Sequence, residues 1–236
     1  MRPRLLVIIA ALLCAALLAA CGSGSGSSTA SGTPTAAGAA TSAASASSSS
    51  GAATQSTSTA GGQIGFEGVP LEQGPQLAPA STTGTKTVNG ISCAANEQLV
   101  YHIHAHLAVF DNGSPRALPG GIGIPGSTMQ QSNQGPVAAG GRCIYWLHTH
   151  TSDGIIHVES PTKRIYTLGD FFDIWRQPLS SDRIASLHGA VHALINGKQW
   201  TKSPRAIPLL PHADIQLEIG EPTPPIVKVN WSQTQL

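Results

Sequence analysis

Histidine at alternate positions is the first chemistry the chain offers. Residues 99–110 read LVYHIHAHLAVF, so His102, His104 and His106 recur with a period of two. Residues 142–150 end in Trp146, His148 and His150 at the same spacing, and residues 155–159 carry His157 and Glu159. Alternate side chains of an extended strand share a face, about 6.6 Å apart at Cα. Residues opposed on a neighbouring strand are nearer, at about 5 Å. His-x-His beside a third histidine is therefore the arrangement that a transition-metal site on a β-sheet needs.

The residues between the histidines say which elements must position them. In 99–110, Leu99, Tyr101, Ile103, Ala105, Leu107 and Val109 form an apolar face, and Asp111-Asn112-Gly113 supplies a turn. In 142–150 the apolar face is Cys143, Tyr145 and Leu147, and in 155–159 it is Ile156 and Val158. Thr151-Ser152-Asp153-Gly154 reads as the turn between these two strands. Folding about it pairs His150 with Ile155, His148 with His157, and Leu147 with Val158. A slip of one residue would drive imidazoles into the core, so the register is strongly specified.

The candidate ligands are His102, His104, His106, His148, His150 and His157. The hairpin trio His148, His150 and His157 is preferred, joined by His104 and by His102 or His106. Imidazole with an optional carboxylate suits zinc or copper first, then iron, manganese or nickel. Met1 and Met129 are the two methionines and neither lies near the histidines in sequence, which argues against a blue-copper site. If the site is catalytic, Glu159 and Asp153 are the candidate bases for a metal-bound water.

The N-terminal residues read as an export signal. Arg2 and Arg4 precede an apolar run over residues 5–18, which ends in Leu18-Ala19-Ala20-Cys21. That ending resembles the lipobox of bacterial lipoproteins, and the resemblance implies cleavage of residues 1–20 and lipidation of Cys21. The expected location is extracytoplasmic, at the cell surface or in the periplasm, with the membrane as a partner through the lipid. Residues 22–62 are Ser, Gly, Thr and Ala apart from Pro34 and Gln55, so they have nothing to bury and read as a disordered tether. Residues 63–90 read as an irregular lead-in, and 91–231 as the folded domain.

Of four cysteines, Cys14 leaves with the signal and Cys21 takes the lipid. Cys93 and Cys143 remain, and outside the cytoplasm a disulfide between them is the expectation. The 13 basic and 12 acidic residues give a charge of +1; loss of Arg2 and Arg4 leaves 11 against 12, or −1. Without a basic run there is no electrostatic footprint for nucleic acid.

Elsewhere, Thr167 and Asp170 fit a capping box before Leu168, Phe171, Phe172 and Trp175 at helical spacing. Ser180-Ser181-Asp182 predicts a second, shorter helix ending near His188. Residues 190–195 and 213–219 read as strands, Asn196-Gly197 as a hairpin turn, and 226–229 as a last short strand. His188, His192 and His212 are left to surface, helix-end or loop roles. The fold class is mainly β with α+β character: one small β-sheet or barrel-like domain with a helical insertion at about 168–188.

The segments YHIHAHLAVFDNG, YWLHTHTSDGIIHVES and YTLGDFFDIW together resemble a family of exported bacterial and archaeal proteins. The resemblance implies an intact domain and no particular activity. The His-x-His strands are also similar to those of cupins, although the following Glu and second His motif are spaced differently. His102-x-His104 alone is similar to the zinc strand of α-type carbonic anhydrases. Three functions stay open: a surface module that handles copper or zinc, a metal-dependent extracytoplasmic enzyme, and a metal-free structural or interaction domain whose histidines merely titrate. No Gly-rich phosphate loop, Gly-x-Ser-x-Gly elbow or catalytic-cysteine signature is present.

Overall fold

A computed structural model describes residues 62–80 and 84–236. The expected signal, the lipidated Cys21 and all but the last residue of the tether lie outside the described residues. The fold is mainly β, built from several small sheets around one larger sheet, with a single α-helix and no closed barrel among the described residues.

The larger sheet has seven strands: β1 (Tyr101–Asp111), β2 (Ser114–Arg116), β3 (Leu147–His148), β4 (Ile155–Ser160), β5 (Val191–Ile195), β6 (Lys198–Gln199) and β7 (Ala213–Ile219). Their order is β6-β5-β7-β1-β4-β3, with β2 pairing back onto β1. All neighbours are antiparallel except β7 and β1, which run parallel. A parallel pair needs a long crossover, and the chain between β4 and β7 supplies it.

The alternation along β1 separates two faces. Ala105, Leu107 and Val109 are buried with Val158 and Ile156 of β4, and with Ile215, Leu217 and Ile219 of β7. Onto this face packs α1 (Leu168–Trp175), whose Leu168, Phe171, Phe172 and Trp175 are all fully buried. Its capping box forms as the spacing predicts. The Thr167 side chain accepts from Asp170 N, and the Asp170 carboxylate accepts from Thr167 N.

Two expectations fail for identifiable reasons. The second helix is instead a three-stranded meander, Leu179–Ser180, Arg183–Ile184 and Leu187–His188. Ser-Ser-Asp is a turn signal as well as a cap. Here Ser180 Oγ accepts from Asp182 N, and Ala185 takes a left-handed φ of 50° that a helix interior cannot accommodate. His188 accordingly pairs with Arg183 in a strand rather than ending a helix. Residues 226–229 form no strand. Val227 N donates to Gln216 Oε1 and Val229 N to Asp214 Oδ1, so this segment bonds to side chains on the polar face of β7 and not to a sheet edge.

The expected strand over residues 142–150 is also divided, into Ile144–Tyr145 and β3. Tyr145 N turns away to Gly123 O, while Trp146 O accepts from Glu159 N. Residues 63–80 and 84–90 carry only isolated bridges, yet the first of these segments packs tightly: Val69 and Leu77 are buried, and Glu72 N donates to Ser152 O in the turn before β4. Cys93 and Cys143 form the expected disulfide, with Cα atoms 5.4 Å apart. It closes a loop of sequence separation 50. A crosslink of that span restricts the unfolded chain by about 4 kcal/mol. Cys93→Ser/Cys143→Ser should therefore lower the unfolding free energy by about 2–4 kcal/mol in urea titrations. An unchanged midpoint would refute that contribution.

Candidate metal centre

The register of three adjacent strands builds the site. His104 of β1 lies opposite His157 of β4, and His157 lies opposite His148 of β3. His102 opposes Glu159 one step along, and Leu147 opposes Val158 on the core side. The hairpin pairing read from the sequence is the one observed for His148 and Leu147. His150 lies just beyond β3 and still reaches the same face.

Five histidines and one carboxylate fall into two overlapping sets, His102-His104-His157-Glu159 and His148-His150-His157-Glu159. Within each set the ligand atoms lie within 4.8 Å of one another, so each can hold a metal ion. His102 Nε2 is 2.9 Å from His104 Nε2, and His148 Nε2 is 3.1 Å from His150 Nε2. Ligands sharing one ion at a metal–nitrogen distance of about 2.1 Å stand roughly 2.9–3.4 Å apart. The imidazole pairs already have that separation.

Hydrogen bonds orient the rings. His148 Nδ1 donates to Tyr145 O at 2.9 Å; a carbonyl only accepts, so a neutral ring keeps its lone pair on Nε2, facing His150. His157 sits between two buried carboxyl groups, with Nδ1 3.2 Å from Glu159 Oε1 and Nε2 2.7 Å from Glu67 Oε1. Glu159 Oε2 and Glu67 Oε2 are buried and without a hydrogen-bond partner among the described residues.

These surroundings sort the imidazoles by charge. Burial, with the charge of His157 and the neighbouring rings, pulls His104 down to about 3. Burial also drives His148 well below its ordinary value and lowers His150, in both cases reinforced by His157. All three are neutral, ligand-ready rings near pH 7. His157 goes the other way: burial opposes its charge, but its hydrogen bonds to the Glu159 and Glu67 carboxylates, which accept, prevail and raise it to about 9.

A pocket of about 320 Å³ opens over this face. His102, His104, His150, His157, Glu67 and Glu159 line it, and Phe66, Glu97, Val137 and Leu236 form part of its walls. His148 lies beneath the surface, fully buried.

His106 and Asp153 occupy a different place. His106 opposes Ile155, belongs to neither set, and has a buried Nδ1 without a partner among the described residues. Gly154 lets the chain pass beside it: a Cβ there would stand 2.8 Å from His106 Nε2, and the φ of 77° also favours glycine. Asp153 is fully buried and its Oδ1 accepts from Ile155 N, so it does not present a base to the pocket. Glu159 stands among the imidazoles, in both sets.

Glu67 and Glu97 were not anticipated. Glu97 Oε1 lies 3.6 Å from His150 Nε2. Both come from irregular segments, where no periodicity marks a residue as facing a site. Glu67 is delivered by the turn in which Gly65 N donates to Val69 O, a contact between residues that carry no metal motif.

Burial of His106 makes a pH prediction. Desolvation, only partly offset by a hydrogen bond with the Asp153 backbone, lowers it to about 4 from the ordinary 6.5. Below pH 6.5 the unfolded chain takes up this proton and the folded chain does not, so stability falls as pH drops towards 4, by up to about 3 kcal/mol. His104 adds to the same limb, whereas the His157 contribution is complete below pH 6.5 and fades as pH rises through about 9. Urea midpoints measured with chelator present should peak between these limits, and His106→Leu should flatten the acid limb. An acid limb unchanged by that substitution would count against the assignment.

No protein-family model matches the chain, and neither a curated protein nor a solved structure matches it.

Proposed function

We propose that the protein is a lipid-anchored, extracytoplasmic metal-binding protein whose histidine face takes copper or zinc. The observation that carries the metal reading is the convergence of five imidazoles on Glu159, with three of them held neutral by burial. A neutral imidazole binds a metal without first losing a proton. Two buried carboxyl groups flanking a single cationic ring leave unpaired oxygens that a divalent ion would compensate. Nitrogen ligands with carboxylate oxygen fit copper and zinc, and the disulfide removes Cys93 and Cys143 as thiolate competitors. The lipobox-like Cys21 and the tether of residues 22–62 support attachment to a membrane with reach away from it. Among the described residues no helix is long and apolar enough to cross a membrane.

A second reading, a metal-dependent enzyme, is favoured by the pocket. An opening of about 320 Å³ directly above the ligands leaves room for a small substrate at a metal-bound water. Phe66, Val137 and Leu236 would give such a substrate apolar contacts on one side.

Elemental analysis of the tag-free chain, exported to an oxidising compartment, tests the metal reading. Near-stoichiometric copper or zinc is expected, with at least a tenfold loss of affinity in His148→Ala/His150→Ala, following the usual cost of removing direct ligands or their supports. Trace metal alone in the parent chain, with no uptake from micromolar copper or zinc, would refute it. Coordination by His157 should also release a proton near pH 8, because that ring is protonated up to about pH 9. Calorimetry in buffers of different ionisation enthalpy measures that proton.

A further inference from the structure

We infer that the histidine face holds two ions rather than one, bridged by the carboxylate of Glu159; this rests on the metal-binding reading above. The two imidazole pairs stand on opposite sides of His157. His102 and His104 belong to β1, His148 and His150 to the β3 end, and β4 runs between them. Strands in a sheet are about 4.8 Å apart, so the outer two strands stand roughly 9–10 Å from each other. Ring contacts follow the same division. The His157 centroid is 4.6 Å from His104 and 4.6 Å from His150, while no ring contact joins one pair to the other among the described residues.

One ion cannot serve both pairs. Two nitrogens bound to one ion at about 2.1 Å can be at most about 4.2 Å apart. The two ligand sets do not merge even at a spacing of 4.8 Å. Each pair by contrast has its Nε2 atoms at 2.9 or 3.1 Å, the separation of two ligands on a single ion.

Glu159 links the two positions through different oxygens. Its Oε1 lies 3.2 Å from His102 Nε2, and its Oε2 lies 3.9 Å from His148 Nε2. The second oxygen is buried and accepts no hydrogen bond among the described residues. A carboxylate that offers one oxygen to each side is the bridge used to hold paired ions about 3.5–4 Å apart. Glu67 and Glu97 reach the same face beside His157 and His150, at 2.7 and 3.6 Å, and add the negative charge that a second cation requires. Copper or zinc would occupy both positions, with their exchangeable coordination sites facing the pocket.

The test uses the full chain, tag-free and with free thiols alkylated, titrated with zinc chloride or copper sulfate. Two equivalents of zinc are expected after gel filtration. Two copper(II) ions should give a spin-coupled paramagnetic resonance signal with a half-field line. His102→Ala/His104→Ala should retain one equivalent, and Glu159→Gln should remove the coupling. His102 is the most exposed of the ligands, with 39% of its side chain accessible, so His102→Ala alone is a milder variant whose fold is easily checked by circular dichroism. One equivalent in the parent chain would overturn the two-ion proposal and leave the metal reading intact. No bound metal would overturn both. Two equivalents with uncoupled copper spins would overturn the bridging role of Glu159.

Discussion

Everything at the site depends on the pairing of β4 with its two neighbours. That strand is buried on both faces: Ile156 and Val158 lie in the core, while His157 and Glu159 face the histidines. Backbone hydrogen bonding holds His104, His157 and His148 side by side across three strands. A shift of one residue would move imidazoles into the apolar face and Leu147 and Val158 out of it. The cost of burying an uncompensated imidazole and exposing two aliphatic side chains is several kcal/mol. The hydrophobic core thus enforces the positions of His104, His148 and His157, the candidate ligands on the paired strands.

Burying so many titratable groups is otherwise unfavourable, and the structure offsets it in two ways. Three imidazoles stay neutral, which removes the largest part of their desolvation cost. His157 keeps its charge by hydrogen bonding to Glu159 on one side and Glu67 on the other. The resulting carboxyl–imidazolium–carboxyl arrangement occupies the centre of the site, so a metal ion bound there would compete with a proton for the same ring. The carboxyl groups that favour the proton would also favour a divalent cation.

The walls of the pocket come from parts of the chain far apart in sequence. Phe66 and Glu67 arrive from the lead-in, Val137 from a β-hairpin between β2 and β3, and Leu236 from the far end of the described residues. The lead-in is fastened through Glu72, whose backbone N–H reaches Ser152 and whose Oε2 accepts from Leu118 N at 2.6 Å. The segment that carries Glu67, the carboxyl partner of His157, is therefore fastened to the turn that precedes β4 and to the backbone at Leu118. A binding module and an enzyme would make different use of this enclosure. The first needs only exclusion of competing ligands, and the second needs room for a substrate above the ions.

Local pattern alone determined a good part of this protein. Period-two alternation placed His102, His104, His148 and His157 on one face, and the parity of the Thr151–Gly154 turn set His148 against His157. The Thr167 and Asp170 spacing specified the start of α1, and the count of remaining cysteines specified the Cys93–Cys143 disulfide. These features were legible because each depends on neighbours within a few residues, or on a chemical partner that has no alternative. Tertiary structure decided the rest. It excluded His106 from both ligand sets, because β1 extends past the end of β3 and leaves that ring opposite Ile155. It brought in Glu67 and Glu97 from segments without periodicity, and it turned the Ser180–Asp182 signal into a turn rather than a helix. Long-range packing leaves no local trace in such segments, since their conformation is set by the surfaces they cover.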